Sequence, residues 1–404
     1  MAKEDGLVYQ CHSSSLLELR KFMAPEFVFG AGARMLAGQY ARNLGARKVL
    51  LVTDTNLREN TPWMQQMLQS FKYVGLPCVV FDQVSPNSRS SEIMIGASLF
   101  SQEQCNAIVA LGGGSVIDCA KGIGIACSNK NHILDFEGVD QVLRPIPPLL
   151  CIPTTSGTAS EVSQSAIVLN EQRKTKIAII TKAVVPDVAL LDPMVTTTMD
   201  HQLTVYTGID GLSHAVEAYV SNASSPVTDI HATEAIRLIW EALPEVVAQP
   251  SNLKWRAQML LGSLQAGLAF SNASLGAIHA MSHSLGGYLD SPHGELNAIL
   301  FRTVIKYNYP ACPERFNRIG QLIGLVLNHL PVESAADTLS QTIEQFRHKI
   351  GITSSLRDLG VNRSILADLA VNASQDANIT TNPRSVTQTD LEGLYEQALQ
   401  TSGF

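Results

Sequence analysis

Residues 107–126 read AIVALGGGSVIDCAKGIGIA. The run Ala107–Leu111 is short, apolar and aliphatic, the composition of a strand buried on both faces. Gly112, Gly113, Gly114 and Ser115 interrupt it, and Val116–Ala126 then carries helical spacing. A strand that passes through a glycine turn into a helix is the unit from which parallel sheets are wound. Glycines let the backbone approach a diphosphate closely, and the free amides and dipole of a helix start favour anions. A tight turn that holds no ligand reads the same, so the motif alone leaves both roles open. It is not the G-x-G-x-x-G fingerprint.

Upstream, Arg47–Asp54 (RKVLLVTD) and Pro77–Asp82 (PCVVFD) read as buried strands, and Thr61–Tyr73 and Ser90–Gln104 as helices between strands. The glycine turn thus follows the third strand of the alternation. Downstream, Pro148–Pro153, Ala166–Leu169, Thr175–Ile180 and Val188–Asp192 add strands. A second polar turn, Pro153–Glu161 (PTTSGTASE), offers hydroxyls and free amides to the same crevice. Asp54 ends the first strand, where it either accepts hydrogen bonds from a ribose or caps the next helix; the residues alone favour the cap. Past Pro193 long helical patterns dominate, such as Pro226–Ala248 and Leu253–Phe270, with no convincing strand.

A chain of 404 residues exceeds one ordinary core. The expected organisation is an extension over residues 1–20, an α/β dinucleotide-binding domain with a Rossmann-like parallel sheet over 21–195, and an all-α domain over 196–404. The net charge of −7, with no run of Lys or Arg, excludes a nucleic-acid stripe. The seven cysteines are scattered and never spaced C-x-x-C, which argues against a disulfide framework and a thiolate zinc knuckle and for buried inert thiols. Met1–Arg20 lacks the apolar core of a signal peptide. The longest weakly polar stretch, Ala107–Ser128, contains three consecutive glycines, Asp118 and Lys121, so no membrane span is expected. The expected compartment is the cytoplasm.

His279, His283 and His293 fall within fifteen residues of a chain that has ten histidines. His279 and His283 are four apart and project from one helix face. His293 follows a Gly286-Gly287 break, between Pro292 and Gly294, in the setting of a turn that folds back. Asp210 and His214 form another i, i+4 pair on an apolar helix, Gly208–Tyr219. Two such pairs on facing helices plus a returning histidine can build a metal site of nitrogen and oxygen ligands, whereas a lone histidine is ordinarily a cap or a core hydrogen-bonder.

At these residues the sequence resembles the iron-dependent (group III) alcohol dehydrogenase family, from about Leu19 to Leu399. The anchors are Gly112–Ser115 with Asp118 and Lys121, the Pro153–Glu161 turn, Gly208–His214, and His279-x3-His283-x9-His293-Gly294. The branch it is most similar to is that of butanol and propanediol dehydrogenases, including regulatory ErcA-like relatives. The resemblance implies a dehydroquinate synthase-like architecture. It implies that Asp210, His214, His279 and His293 hold the metal, Fe²⁺ or Zn²⁺, and that His283 moves protons near the nicotinamide. It implies that Asp54 meets the adenosine ribose of NAD, and that Asn87, Gly113, Gly114, Ser115, Asp118, Thr154, Thr155, Thr158, Ser165 and Lys176 contact the cofactor. Ser284, Val205-Tyr206, Phe301-Arg302 and Ser165 depart from the family pattern without removing a ligand; they bear on substrate size and cofactor affinity.

The activity implied is hydride transfer between a primary alcohol or diol, or its aldehyde, and NAD, with the metal as Lewis acid. A hydroxyacid–oxoacid transhydrogenase or polyol dehydrogenase on the same fold is one alternative. A regulatory protein that senses alcohol, aldehyde or NADH through a preserved site is another. The expected partners are a small alcohol or aldehyde and further copies of the chain, a homodimer by default.

Overall fold

In the computed structural model, which describes residues 21–173 and 175–400, a parallel sheet is followed in the chain by an array of helices. The strands are β1 (Glu26–Phe29), β2 (Val49–Val52), β3 (Cys78–Phe81), β4 (Ala107–Gly112), β5 (Gly138–Val139), β6 (Leu149–Pro153), β7 (Ser165–Asn170), β8 (Thr175–Ile180) and β9 (Val188–Leu191). Six of them form an all-parallel sheet in the order β1-β9-β6-β4-β2-β3. β5, β8 and β7 form a separate small sheet, with β7 and β8 antiparallel.

The central strands are apolar throughout because both faces are covered. Leu50, Val52, Ile108, Ala110, Leu149 and Cys151 point into one core, against α4 (Ser90–Gln102) and α5 (Gly114–Asn129). Val49, Leu51, Val109, Leu111, Leu150 and Ile152 point into the other. There they meet α1 (Ala37–Asn43) and α3 (Trp63–Tyr73); α2 (Thr55–Asn60) lies between α1 and α3 in the chain. The period of two along each strand thus divides the domain into two layers.

After the 3₁₀ turn Pro193–Thr198, among the described residues, only helices and their connections follow. They are α6 (His201–Val220), α7 (Pro226–Ala248), α8 (Leu253–Ala273), α9 (Ala277–Leu289), α10 (His293–Asn308), α11 (Pro313–Leu322), α12 (Val332–Lys349), α13 (Leu366–Ser374) and α14 (Gln388–Gln400). They share one large core, and from Thr207 to Val220 every residue of α6 is buried. A helix covered all round shows no polar face.

Three sequence expectations need correction. β1 precedes Arg47–Asp54, so Asp54 ends the second strand and the glycine turn follows the fourth. Its EFVF run is partly exposed and pairs only with β9 at the sheet edge, which removes the apolar signal of a buried strand. Gly286-Gly287 does not break a helix, because α9 runs through both. The chain turns instead at Asp290, which adopts a left-handed φ of 53°, and His293 is the first residue of α10 rather than part of a loop. The extension expected over residues 1–20 lies outside the described residues.

Candidate active site

α6 carries Asp210, His214 and Glu217 at i, i+4 and i+7, one face of a buried helix. α9 brings His279 and His283 to that face, and the start of α10 brings His293. A single oxygen, Asp210 Oδ1, lies 3.9 Å from His214 Nε2, 3.6 Å from His279 Nε2 and 3.8 Å from His293 Nε2. Ligand atoms of Asp210, His279 and His293 all lie within 4.8 Å of one another, the spacing of donors around one cation.

The far nitrogen of each imidazole is occupied. His214 Nδ1 is 3.2 Å from Gly157 O, His279 Nδ1 is 2.6 Å from Glu217 Oε2, and His293 Nδ1 is 3.4 Å from Ser282 Oγ. A carbonyl or carboxylate there requires an N–H, which leaves the Nε2 lone pair directed at the shared oxygen. This donor chemistry fits a divalent ion. Burial drives the pKa of His214 down to about 4 and that of His293 well below the ordinary range. Burial also pushes His279 down, but the two carboxylates beside it, Asp210 and the hydrogen-bonded Glu217, prevail and raise it to about 9. Burial alone would raise Asp210, yet the surrounding imidazoles hold it well below the usual carboxylate range.

His283 stands apart from this set. Its Nδ1 donates to Asp376 Oδ2 at 2.7 Å, and its ring lies parallel to that of His293 with centroids 5.1 Å apart. Glu217 and Asp376 escape a sequence reading for different reasons. Glu217 was detectable as the next residue of the Asp210/His214 face, whereas Asp376 is 93 residues from His283 and carries no local signal.

A cavity of about 350 Å³ joins this cluster to the sheet domain. Among the expected cofactor residues, Asn87, Gly114, Ser115, Asp118, Thr158, Ser165 and Lys176 line it, together with Asp210, His214, His279, His283 and His293. Asp54, Gly113, Thr154 and Thr155 do not. Thr154 N is paired to Gly112 O at 3.0 Å, and a Cβ on Gly113 would lie 3.1 Å from Thr155 Cγ2, so Gly113, Thr154 and Thr155 shape the turns behind the wall. On Gly114, at the start of α5, a Cβ would come 2.8 Å from Thr158 Oγ1. This narrow cradle before free helix amides fits a phosphate. Lys176 Nζ donates to Asn87 Oδ1 at 2.7 Å, and its half-buried position lowers its pKa to about 8. Burial raises Asp118 to about 6. Asp54 caps α2 by accepting from Leu57 N at 2.8 Å, the capping role that the residues alone favoured.

A parallel α/β sheet with a phosphate-sized cradle, facing an Asp/His cluster on buried helices, is the build of a two-domain, metal-assisted dinucleotide enzyme. Two family profiles match: "Iron-containing alcohol dehydrogenase" over residues 24–193 and "Fe-containing alcohol dehydrogenase family, C-terminal" over 204–399. The chain is 40% identical over 371 residues to 1,3-propanediol dehydrogenase of Klebsiella pneumoniae, covering 92% of this chain and 96% of that one. It is 35% identical over 378 residues to the NAD-dependent methanol dehydrogenase of Bacillus methanolicus, covering 94% and 99%. The crystal structure of a 1,3-propanediol oxidoreductase superposes with a TM-score of 0.90 at 39% identity, covering 94% and 100%. The chain belongs to the iron-containing alcohol dehydrogenase family.

Proposed function

We propose that this protein is an NAD-dependent alcohol dehydrogenase for small neutral primary alcohols or diols, with Fe²⁺ or Zn²⁺ held by Asp210, His214, His279 and His293. The observation that carries the reading is the convergence of three Nε2 atoms on Asp210 Oδ1 at 3.6–3.9 Å, within the cavity that the glycine turn also lines. A divalent ion there supplies Lewis acidity and a nicotinamide supplies the hydride acceptor. Glu217, Gly157 O and Ser282 orient the imidazoles. Asn87, Gly114, Ser115, Thr158 and Lys176 hold the dinucleotide, and Asp54 meets its ribose with the oxygen that the cap does not use. His283, backed by Asp376, carries the proton between the reacting hydroxyl and solvent. Apart from Asp118, Lys176, Asp210 and the histidines, the cavity lining has no ionisable side chain, which favours a neutral substrate.

No described helix is long and apolar enough to cross a membrane. No disulfide joins the cysteines among the described residues, and burial pushes the Cys78 thiol up to about 12. Free thiols suit a reducing cytoplasm, which is the proposed location, and a homodimer is the proposed assembly. The experiment is anaerobic purification, metal analysis and a panel of primary alcohols and diols with NAD⁺ and NADP⁺, on native protein and on His279→Ala and His293→Ala. The expected result is metal-dependent NADH formation by native protein, and folded variants with little metal and no turnover. Full metal content and near-native rates in both variants would overturn the assignment.

A further inference from the structure

We infer that Asn297 is a positioning residue of the metal centre, whose side-chain amide holds the Asp210 carboxylate in place against the three imidazoles. The inference rests on the ligand set proposed above. Asn297 lies one turn after His293 on α10 and is wholly buried. Its Nδ2 donates at 2.7 Å to Asp210 Oδ1, the oxygen that the imidazoles face, and stands 3.3 Å from Ser213 Oγ. It also lies 3.2 Å from His279 Nε2 and 3.3 Å from His293 Nε2.

A carboxamide nitrogen has two N–H donors, so it cannot serve four acceptors. A cation that draws on the imidazole lone pairs leaves Asp210 Oδ1 and Ser213 Oγ, one acceptor for each N–H. The other end of the amide gains nothing, because Oδ1 is buried with no partner. A buried carbonyl without a donor is unfavourable. Leucine, of similar volume, would fill the position without that penalty, so the use of an amide here lies in its donors. Those donors are neutral. They restrain the rotation of Asp210 without cancelling the negative charge that attracts the ion.

The test is cobalt(II) affinity by chelator competition, with the visible spectrum of the cobalt-loaded full chain. Asn297→Leu should bind cobalt roughly ten- to a hundredfold more weakly, the usual loss for a group that orients a ligand. Its d–d bands should shift because Asp210 is released, a signature that a merely space-filling role would not produce. Asn297→Ala makes room instead of filling it, serves if the leucine variant does not fold, and should weaken binding likewise. Native-like cobalt affinity in His279→Ala would overturn the proposed ligand set itself. Loss of cobalt in His279→Ala, with native affinity and spectrum in both Asn297 variants, would sink the positioning role and leave the ligand set standing.

Discussion

His283 differs from its neighbours in where its ring points: its Nδ1 is engaged by Asp376 and its nearest aromatic partner is the ring of His293, not the shared carboxylate oxygen. A proton carrier should therefore be separable from a ligand by substitution. His283→Ala is expected to retain its metal while turnover falls by ~10²–10⁴-fold, the range of a general acid–base group. Metal loss as complete as in His279→Ala would reassign it as a ligand. Asp54 permits a second test because its observed cap can be separated from the ribose role proposed for it. The cap uses Oδ1, and glycine is itself a tolerable N-cap, so Asp54→Gly should cost α2 only a few tenths of a kcal/mol. In the proposed ribose contact the carboxylate would oppose the 2′-phosphate of NADP; like charges ~4 Å apart at a dielectric near 20 cost roughly 4 kcal/mol before screening. Since ~1.4 kcal/mol is a factor of ten in rate, native protein should prefer NAD by at least about tenfold. Asp54→Gly should narrow the ratio, read as paired kcat/KM values at fixed ionic strength; an unchanged ratio would leave Asp54 as a cap alone.

The two polar turns matter through the elements they touch. The Pro153–Glu161 turn presses on α6 at Gly157, where a Cβ would lie 2.0 Å from Thr207 O, a backbone atom with no freedom to yield. The same glycine offers its carbonyl to His214 Nδ1. Gly157→Ala is therefore an element-scale perturbation: the turn must lift from the helix, or the helix must shift. Overpacking of this kind costs typically ~1–3 kcal/mol. The expected outcome is a lower denaturant midpoint at unchanged m-value, together with weaker metal retention as the hold on His214 slackens. Native stability in this variant would mean that the turn and α6 are not locked together.

For the molecule as a whole, the buried carboxyl of Glu161 makes stability depend on pH. It is fully buried at the end of the Pro153–Glu161 turn, its Oε1 has no partner, and burial raises its pKa from 4.5 to about 7. An unfolded chain has already released this proton near pH 5, whereas the folded chain retains it until about pH 7. Between those values the folded state binds more protons, so this contribution is lost as pH rises and is flat above. Relative to native protein, Glu161→Gln should therefore gain stability from pH 5 to pH 8, on the order of 3 kcal/mol for a shift of this size. Thermal melts of both proteins at the two pH values check this, and a difference that does not grow with pH would show that Glu161 ionises freely.

The alternation of strand and helix, the change to helices after Pro193 and the i, i+4 pairs were legible because each is a signal of short range. Side-chain period and backbone preference act within a few residues, and the buried central strands, such as VLLV and AIVALG, carry them undiluted. β1 was illegible because an edge strand that buries little has little apolar pattern to show. The turn at Asp290 was misread as a glycine break, because Gly286-Gly287 resembles one locally while α9 runs on through both to Leu289. Resemblance named candidate ligands, but the contacts that orient them came only with the fold: Glu217 meets His279 across 62 residues and Asn297 meets Asp210 across 87. Local sequence thus determined which elements form and which chemically capable residues they display. Tertiary structure decided which of those residues share one cavity, because contacts between distant segments depend on how helices and sheet pack, and no local period encodes that packing.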